Sequence, residues 1–494
     1  MQINLTRQSG VPLVRQIYQE ISERIRFGSL EEGTPLPSIR SLSRQCDVSF
    51  MTVVEAYRLL EEAGLIERIQ GRGTFVGKAK NEVGDTGQPN KVSCYEWQHA
   101  VADYLPRAQV WQSMQAEPEN GFSFSITSLH PELVPLAELT SAVQNALRDD
   151  PTVLFKYGPV QGDGLFRKAY AEYAKNFRLN LHPEELIVTN GAQQGIDQVA
   201  RSFIGPGDVV VTEVPTYSAA IDVFRARGAT VLSVPVDEEG MRVDLLASLC
   251  DQYPPKLIYT MPTYQNPTGA LMSQRRRTQL LDLAQSYRSI ILEDDLWSEI
   301  YFGKAPPPPI KSMDEHGHVI YLKSFSKILA PGCRVAVLAA NGRFLNRLMV
   351  AKAAADWGSP LLTQRAILSF MQSFSMEKHV KQLRQRLLGR RDLALSVLEQ
   401  HAPAGVRWTV PQGGCNIWIT LPPWLRAEEL VVPASREKIN FLPGWVCYPG
   451  EPEFHHLRIC FSSMSEDELR QGMLGLCRIF QESIEAPLEK PPVV

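Results

Sequence analysis

With 494 residues, 44% of them hydrophobic, the chain can bury a large core, and its length predicts about three domains at roughly 150 residues each. Its 51 Lys and Arg against 54 Asp and Glu exclude a global basic field drawing it to nucleic acid or an anionic membrane, so any DNA contact must be local. No apolar run approaches the roughly 18 residues that span a bilayer, the start lacks a signal-peptide pattern, and the eight cysteines fall without CxxC or Cys/His ligand spacing. A soluble, cytoplasmic chain with reduced thiols is expected, with neither a disulfide framework nor a zinc site.

Residues 11–30 place Val14, Ile17, Ile21 and Ile25 at helical spacing with Arg and Glu between them, which predicts an amphipathic helix. Gly33-Thr34-Pro35-Leu36-Pro37 breaks it. Ser38 can cap a short helix ending at Cys46, and Ser49 a longer one over 50–63, with Gly64 at its stop. Residues 65–69 and 74–76 flank Gln70-Gly71-Arg72-Gly73, a hairpin that would form a wing beside the second helix of this pair.

The run Pro37-Ser38-Ile39-Arg40-Ser41-Leu42, then Val48-Ser49, Thr52-Val53, Ala56-Tyr57, Leu60, Gly64-Leu65 and Gly71-Arg72-Gly73-Thr74-Phe75-Val76, resembles the DNA-binding domain of GntR-type regulators. The resemblance implies that a helix enters the major groove of a double-stranded operator. Arg40 would touch DNA, Ser49 and Thr52 would sit near phosphate or base edges, and Arg72 with Gly73 would carry the wing into the minor groove. An arginine fork suits such contacts, discriminating guanine by about 1–3 kcal/mol. Phe50 stands where the family usually has arginine, which leaves an apolar contact there and implies a different operator preference. Through Lys78, ten Lys/Arg face nine acids, a balance of about +1, so one module binds weakly and a dimer presenting two is expected.

Residues 79–93 are polar and read as a flexible linker. Residues 94–115 return to helical spacing at Trp97, Val101, Tyr104 and Leu105, predicting an arm on the larger domain. Beyond about residue 120, strand-like runs at 185–188, 209–212, 230–234, 257–260, 290–293, 320–323 and 335–340 alternate with amphipathic segments. That alternation predicts an α/β domain with a mainly parallel sheet whose ligands sit at strand ends. Arg275-Arg276-Arg277 and the basic stretch over 378–391 read as solvated helix faces, and Pro306 to Pro309 as a rigid loop.

Ser324-Phe325-Ser326-Lys327, with Arg334 seven residues on, pairs a lysine able to form an imine with a cation able to hold a phosphate. Gly191-Ala192-Gln193 follows a strand and opens a helix, so its N–H groups and the positive helix end suit an anion. With Glu213-Val214-Pro215-Thr216-Tyr217, Tyr264-Gln265-Asn266-Pro267-Thr268-Gly269 and Glu293-Asp294-Asp295, these motifs resemble the fold-type I pyridoxal 5′-phosphate (PLP) aminotransferases. Behind a GntR-type module they are similar to the MocR (GabR-type) regulators over nearly the whole chain.

The resemblance implies a winged helix-turn-helix domain (α with a β wing) over 1–78 and a fold-type I PLP-dependent transferase domain over 94–484. The latter would be α/β, with a large subdomain at about 136–345, a small one mainly at 365–484, and a tail at 485–494. Lys327 would form the internal aldimine and Asp294 would pair with the pyridine nitrogen. Asp295 competes for that role, and Asp294 is favoured because the family motif starts at the first Asp. Asn266 would bond the 3′-oxygen, Tyr217 would stack on the ring, and Gly191, Ala192, Gln193, Ser324 and Arg334 would cradle the phosphate. Tyr157 would reach the phosphate in the neighbouring subunit, implying a homodimer, and Arg458 would grip the α-carboxylate of an effector. Trp297 replaces a family tyrosine near the 3′-oxygen and offers only an N–H donor. The expected function is a transcription regulator in which an amino acid or amine forms an external aldimine and changes how the dimer presents its DNA modules. An active aminotransferase with an accessory DNA module, and a DNA-binding protein using the transferase fold only for dimerisation, stay open.

Overall fold

The computed structural model describes residues 13–26, 30, 33–69, 73–77, 121–374 and 376–485. Contacts divide the chain into two compact units, Met1–Gln109 and Val110–Val494. The linker over 79–93, the arm over 94–115, Arg72 and the tail after 485 lie outside the described residues.

The first unit runs α1 (Leu13–Arg26), α2 (Ile39–Cys46), α3 (Phe50–Glu62), β1 (Ile66–Ile69) and β2 (Gly73–Val76). Ser38 accepts from the Ser41 N–H at 3.2 Å and Ser49 from the Thr52 N–H at 3.0 Å, so each hydroxyl satisfies an orphan donor at the start of α2 and α3. Asp47, left-handed at φ 51°, ends α2. Ile17 and Ile21 of α1, Leu42 of α2 and Val53, Ala56, Tyr57 and Leu60 of α3 are fully buried in one core. The Tyr57 hydroxyl donates to the Pro37 carbonyl at 2.7 Å and ties α3 to the turn before α2. β1 and β2 pair antiparallel, Ile66 opposite Val76, as the wing.

The second unit opens with β3 (Phe122–Ser123), α4 (Leu136–Asp149), α5 (Gly164–Ala174), β4 (Leu186–Thr189), α6 (Ala192–Phe203), β5 (Val209–Val214), α7 (Ser218–Arg225), β6 (Thr230–Asp237), β7 (Gly240–Met241), α8 (Val243–Gln252), β8 (Leu257–Thr260), α9 (Gln274–Tyr287), β9 (Ile290–Asp295), β10 (Val319–Ser324) and β11 (Ala336–Ala339). Eight of these strands form one sheet in the order β4-β11-β10-β9-β8-β5-β6-β7. All seven expected strand runs lie in it. Strands β10, β9, β8, β5 and β6 pair parallel, whereas β11 runs antiparallel to both β10 and β4. The reason is local: parallel return needs a crossover of a dozen or more residues. Between β10 and β11 the chain instead doubles back through the 3-10 turn Pro331–Cys333. Strands β4, β8, β9, β10 and β11 are buried throughout, because helices cover both sheet faces. Ile196, Val199 and Phe203 of α6 pack on one face, and Leu246 of α8 with Leu280 and Ala284 of α9 on the other.

The chain continues through α10 (Gly342–Asp356), α11 (Leu361–Ser373), α12 (Met376–His401), β12 (Arg407–Trp408), β13 (Asn416–Thr420), α13 (Val431–Arg436), β14 (Ile439–Asn440), β15 (Leu442–Pro443), β16 (His456–Cys460) and α14 (Glu466–Glu485). A second, antiparallel sheet has the order β12-β13-β16-β15, and β3 pairs parallel with β14, drawing residues 122–123 into this C-terminal part. Two readings of basic residues hold in part: Arg275, Lys378, Lys381 and Arg386 are exposed, and others on the same helices are not. Arg277 is fully buried, donating to the Pro262 carbonyl and the Thr263 hydroxyl at 2.9 Å each, and Arg276 is held by Asp237. Arg384 and Arg391 stack over the Tyr301 and Phe302 rings, at 4.0 and 4.9 Å, in place of facing water. Among the described residues, no helix is long and apolar enough to cross a membrane.

Leu42→Ala should open a cavity in the first unit and cost it about 2–5 kcal/mol. Denaturant unfolding of the full chain should show this as an early transition.

Candidate functional site

The carboxyl ends of β4, β5, β8, β9 and β10 bring the loops after them to one edge of the large sheet, where ligands of open α/β sheets sit. A cavity of about 320 Å³ lies there, lined by Ala192, Gln193, Tyr217, Asn266, Asp294, Ser324, Lys327, Arg334 and Arg458. Ser125, Ile126, Thr127, Trp297, Ser326 and Cys447 complete much of the wall. Nine side chains singled out in the sequence therefore share one cavity. Gly191 stands just behind it.

Lys327 follows β10 in the turn that reverses the chain, and its Nζ donates to the Thr127 carbonyl. Burial lowers its pKa from the usual lysine value, and the nearby Arg458 and Arg334 charges lower it further. A lysine so placed gives up its proton readily, as a nucleophilic amine must.

Asp294 sits at the end of β9, 1% exposed. Its Oδ2 accepts from the Tyr259 hydroxyl at 2.8 Å, while Oδ1 is buried without any hydrogen-bond partner. Burial pushes its pKa up to about 7; the Asp295 and Glu213 charges add to this, and Tyr259 and Lys323 oppose it. Asp295 points elsewhere: it accepts from Tyr321 at 2.6 Å and from the Ser298 N–H at 3.0 Å, with Lys323 at 3.6 Å. Its carboxylate is thus already satisfied and does not line the cavity.

Across the cavity, the Asn266 carbonyl oxygen accepts from Arg458 at 3.1 Å and from Asn416 at 3.4 Å, and Asn416 accepts from Thr127 at 3.2 Å. Arg458, on β16, also donates to the Ser125 carbonyl. It is 5% exposed, and its Nε has no partner. Burial lowers its pKa, which marks a cation short of counter-charge. Tyr217 donates to the Gln193 side chain at 3.1 Å, and burial raises its pKa to about 12. Trp297 is buried, and its indole N–H has no partner.

At the other end, Gly191 caps α6 at φ 86°, and the first turn of that helix opens on the cavity. A methyl at Gly191 would collide with the Arg334 guanidinium, so glycine is needed for that approach as well as for its φ. Arg334, left-handed at φ 49°, donates to the Asn190 carbonyl at 3.2 Å. The Ser324 hydroxyl accepts from the Ser326 N–H at 3.2 Å, and the Ser326 hydroxyl is buried without a partner.

Tyr157 is outside the cavity and 96% exposed, beside exposed Leu154 and Phe155. In the first unit, Arg40 is exposed on α2 and Phe50 is 48% exposed at the start of α3. Ser49 and Thr52 share a hydroxyl contact of 2.7 Å at that helix end, and Gly73 opens β2 at φ 119°. Sequence reasoning missed Tyr259, Thr127, Asn416 and Ser326. Ser326 lay inside the quoted lysine motif, and Tyr259 could have been found as a polar tip inside an apolar strand. Nothing in the local sequence marked Thr127 or Asn416.

Residues 13–76 match the GntR family of bacterial regulatory proteins, and residues 132–474 match aminotransferase class I and II. Both matches fall on one chain. It belongs to the MocR/GabR-type regulators. The uncharacterized HTH-type transcriptional regulator YisV of Bacillus subtilis is 31% identical over 473 residues, covering 95% of this chain and 96% of that protein. Aromatic-amino-acid aminotransferase 1 of Thermococcus litoralis is 33% identical over 361 residues, 72% of this chain and 87% of that one. Among solved structures, the α-aminoadipate aminotransferase LysN of Thermus thermophilus matches with a TM-score of 0.74 and 31% identity, over 78% of this chain and 99% of that one. The cofactor of this MocR/GabR-type chain is accordingly PLP. The cavity fits it: a buried carboxylate oxygen lacks the proton donor that a pyridinium carries, and a helix N-terminus meets an arginine where a phosphate would sit.

Two outcomes follow. Without cofactor, the folded protein holds a proton on Asp294 that the unfolded chain releases, so this residue's contribution to stability falls as pH rises from about 4 to about 7. Cofactor-free Asp294→Asn should therefore melt higher than the parent at about pH 8 and lose that advantage by about pH 4. Gly191→Ala, by displacing Arg334, should weaken PLP binding by tenfold or more, on the order of the ~1.4 kcal/mol that separates one decade of affinity; equilibrium dialysis measures it.

Proposed function

We propose that this regulator is a sensor in which an amino acid or amine enters the cavity, exchanges with Lys327 on the cofactor, and changes how a homodimer presents its two DNA modules. The observation that carries the reading is one cavity holding both a depressed-pKa lysine and a buried, under-partnered arginine, on a chain that also carries a winged helix. In this reading Lys327 anchors the cofactor and Asp294 holds the ring nitrogen protonated, so that the ring draws electron density. Asn266 holds the 3′-oxygen and Tyr217 covers the ring face. Gly191, Ala192, Gln193, Ser324 and Arg334 hold the phosphate. Arg458 takes the effector's carboxylate in a bidentate fork, at present occupied by Asn266 and the Ser125 carbonyl. Tyr157 completes the phosphate site of the partner subunit, and exposed Leu154 and Phe155 supply apolar surface for that dimer.

Arg40, Ser49, Phe50, Thr52, Arg72 and Gly73 form the DNA-reading set, with Phe50 offering an apolar face to a thymine methyl. Differential affinity of the effector for two arrangements of the dimer shifts their populations. A second reading, turnover as an aminotransferase, is favoured by Asp294, Tyr217 and Lys327 sharing the cavity, and by the 33% identity to an aromatic-amino-acid aminotransferase.

Fluorescence anisotropy of the DNA upstream of its own gene, with PLP-loaded protein and a panel of amino acids and amines, tests the proposal. One amine should shift the affinity, and Lys327→Ala should abolish that shift while leaving effector-free DNA binding within about twofold, a change of only ~0.4 kcal/mol. An effector response surviving in Lys327→Ala would favour a pure scaffold; steady conversion of an amino acid with a 2-oxoacid acceptor would favour the enzyme.

A further inference from the structure

The segment leading into β16 gathers three metal-ligating side chains outside the cofactor cavity: Glu453, His455 and His456, whose donor atoms all lie within 4.8 Å of one another. Glu453 Oε2 is 2.9 Å from His456 Nε2 and 3.8 Å from His455 Nε2. Those separations bracket the roughly 3.4 Å expected between ligands on a tetrahedral ion with bonds of about 2.1 Å. Consecutive residues of a regular strand point to opposite faces. Here the backbone bends at 454–455 just before β16, so the two imidazoles come together, with ring centroids 4.2 Å apart.

The surroundings hold the ligands in place. His456 Nδ1 lies 3.2 Å from the Thr420 hydroxyl, which leaves Nε2 to face Glu453, and the ring stacks on Trp418 at 5.2 Å. The Tyr448 hydroxyl donates to the same Glu453 carboxylate at 3.3 Å. The backbone on both sides is pinned: the Ala427 N–H donates to the Phe454 carbonyl at 2.8 Å and the Leu421 N–H to the His455 carbonyl at 2.7 Å. Such outer partners are what orient histidine and carboxylate ligands in metal sites. Glu453 is 55% exposed and His455 32%, so an ion can enter and keep water on its open side.

We infer that Glu453, His455 and His456 form a binding site for a divalent transition metal of the zinc class, separate from the PLP cavity. Two imidazoles and one carboxylate suit zinc, cobalt or nickel, whereas magnesium and calcium prefer all-oxygen shells. The site does not depend on the sensor reading. Its structural consequence is a clamp on the entry to β16, the strand that carries Arg458 two residues beyond His456.

The test is a titration of tag-free, PLP-loaded full-length protein with Co(II) alone, followed by its visible d–d absorption, with Zn(II) as competitor. One Co(II) per chain is expected, displaced by Zn(II), and lost in both Glu453→Gln and His455→Asn, whose partly exposed positions spare the core. Thr420→Val should bind about 10–100-fold more weakly, since it frees the second nitrogen of His456. Absence of Co(II) uptake by the parent, or uptake unchanged in Glu453→Gln and His455→Asn, overturns the proposal.

Discussion

A carboxylate at the end of a fully buried strand must find a partner for each oxygen or bear the cost of desolvation, and β9 ends in three of them. Glu293 accepts from the Ile310 and Lys311 N–H groups at 2.8 Å each, with Arg277 at 3.9 Å. Asp295 has Tyr321, the Ser298 N–H and Lys323. Asp294 has one phenol and an oxygen with nothing. Its neighbours are provisioned from the protein, while Asp294 is left short on the side of the cavity. In the proposed function a pyridinium nitrogen would be the missing donor, and cofactor binding should then stabilise the second unit by mass action.

The opposite imbalance holds across the same cavity. Lys327, Arg334 and Arg458 place three basic side chains around about 320 Å³, and in the proposed function the cofactor's phosphate and the effector's carboxylate would balance the two arginines. Burial and the neighbouring arginine charges lower the lysine, which favours its neutral, nucleophilic form, whereas Arg458 keeps a buried charge short of a counter-ion. The fold makes this arrangement affordable by placing it at strand ends backed by a close-packed sheet. Gly191 and the left-handed Arg334 are two of the backbone positions around the cavity that adopt a special conformation.

Much of this was legible in the sequence, for identifiable reasons. Ser38 and Ser49 announce helix starts because a short hydroxyl side chain can satisfy an orphan N–H, and they do so here. Seven of the eight strands of the large sheet are legible, most of them because burial on both faces forces near-continuous runs such as Ile290-Ile291-Leu292. The reversal of β11 is not, since strand direction depends on the connection and not on the strand. Nor is the small sheet, two of whose strands, Arg407–Trp408 and Leu442–Pro443, are only two residues long. Arg277 illustrates a deeper limit. Three consecutive arginines on a helix read as solvated, yet a helix turns about 100° per residue and can bury one while exposing its neighbour. Thr127 and Asn416 meet Lys327 and Asn266 through long-range folding alone, and the Glu453-His455-His456 cluster carries no cysteine and no familiar ligand spacing to mark it.

The chain joins a GntR-type domain to an aminotransferase-like cavity, and in the proposed function the buried, half-partnered Asp294 is the residue that would answer the cofactor's ring nitrogen. The direct measurement is the ¹⁵N chemical shift of ring-labelled PLP bound to the parent and to Asp294→Asn. The account predicts a protonated ring nitrogen in the parent, unchanged from about pH 6 to pH 9 because the carboxylate holds the proton, and a neutral nitrogen in the variant. A neutral nitrogen in the parent, or the same protonated shift in both proteins, would contradict it.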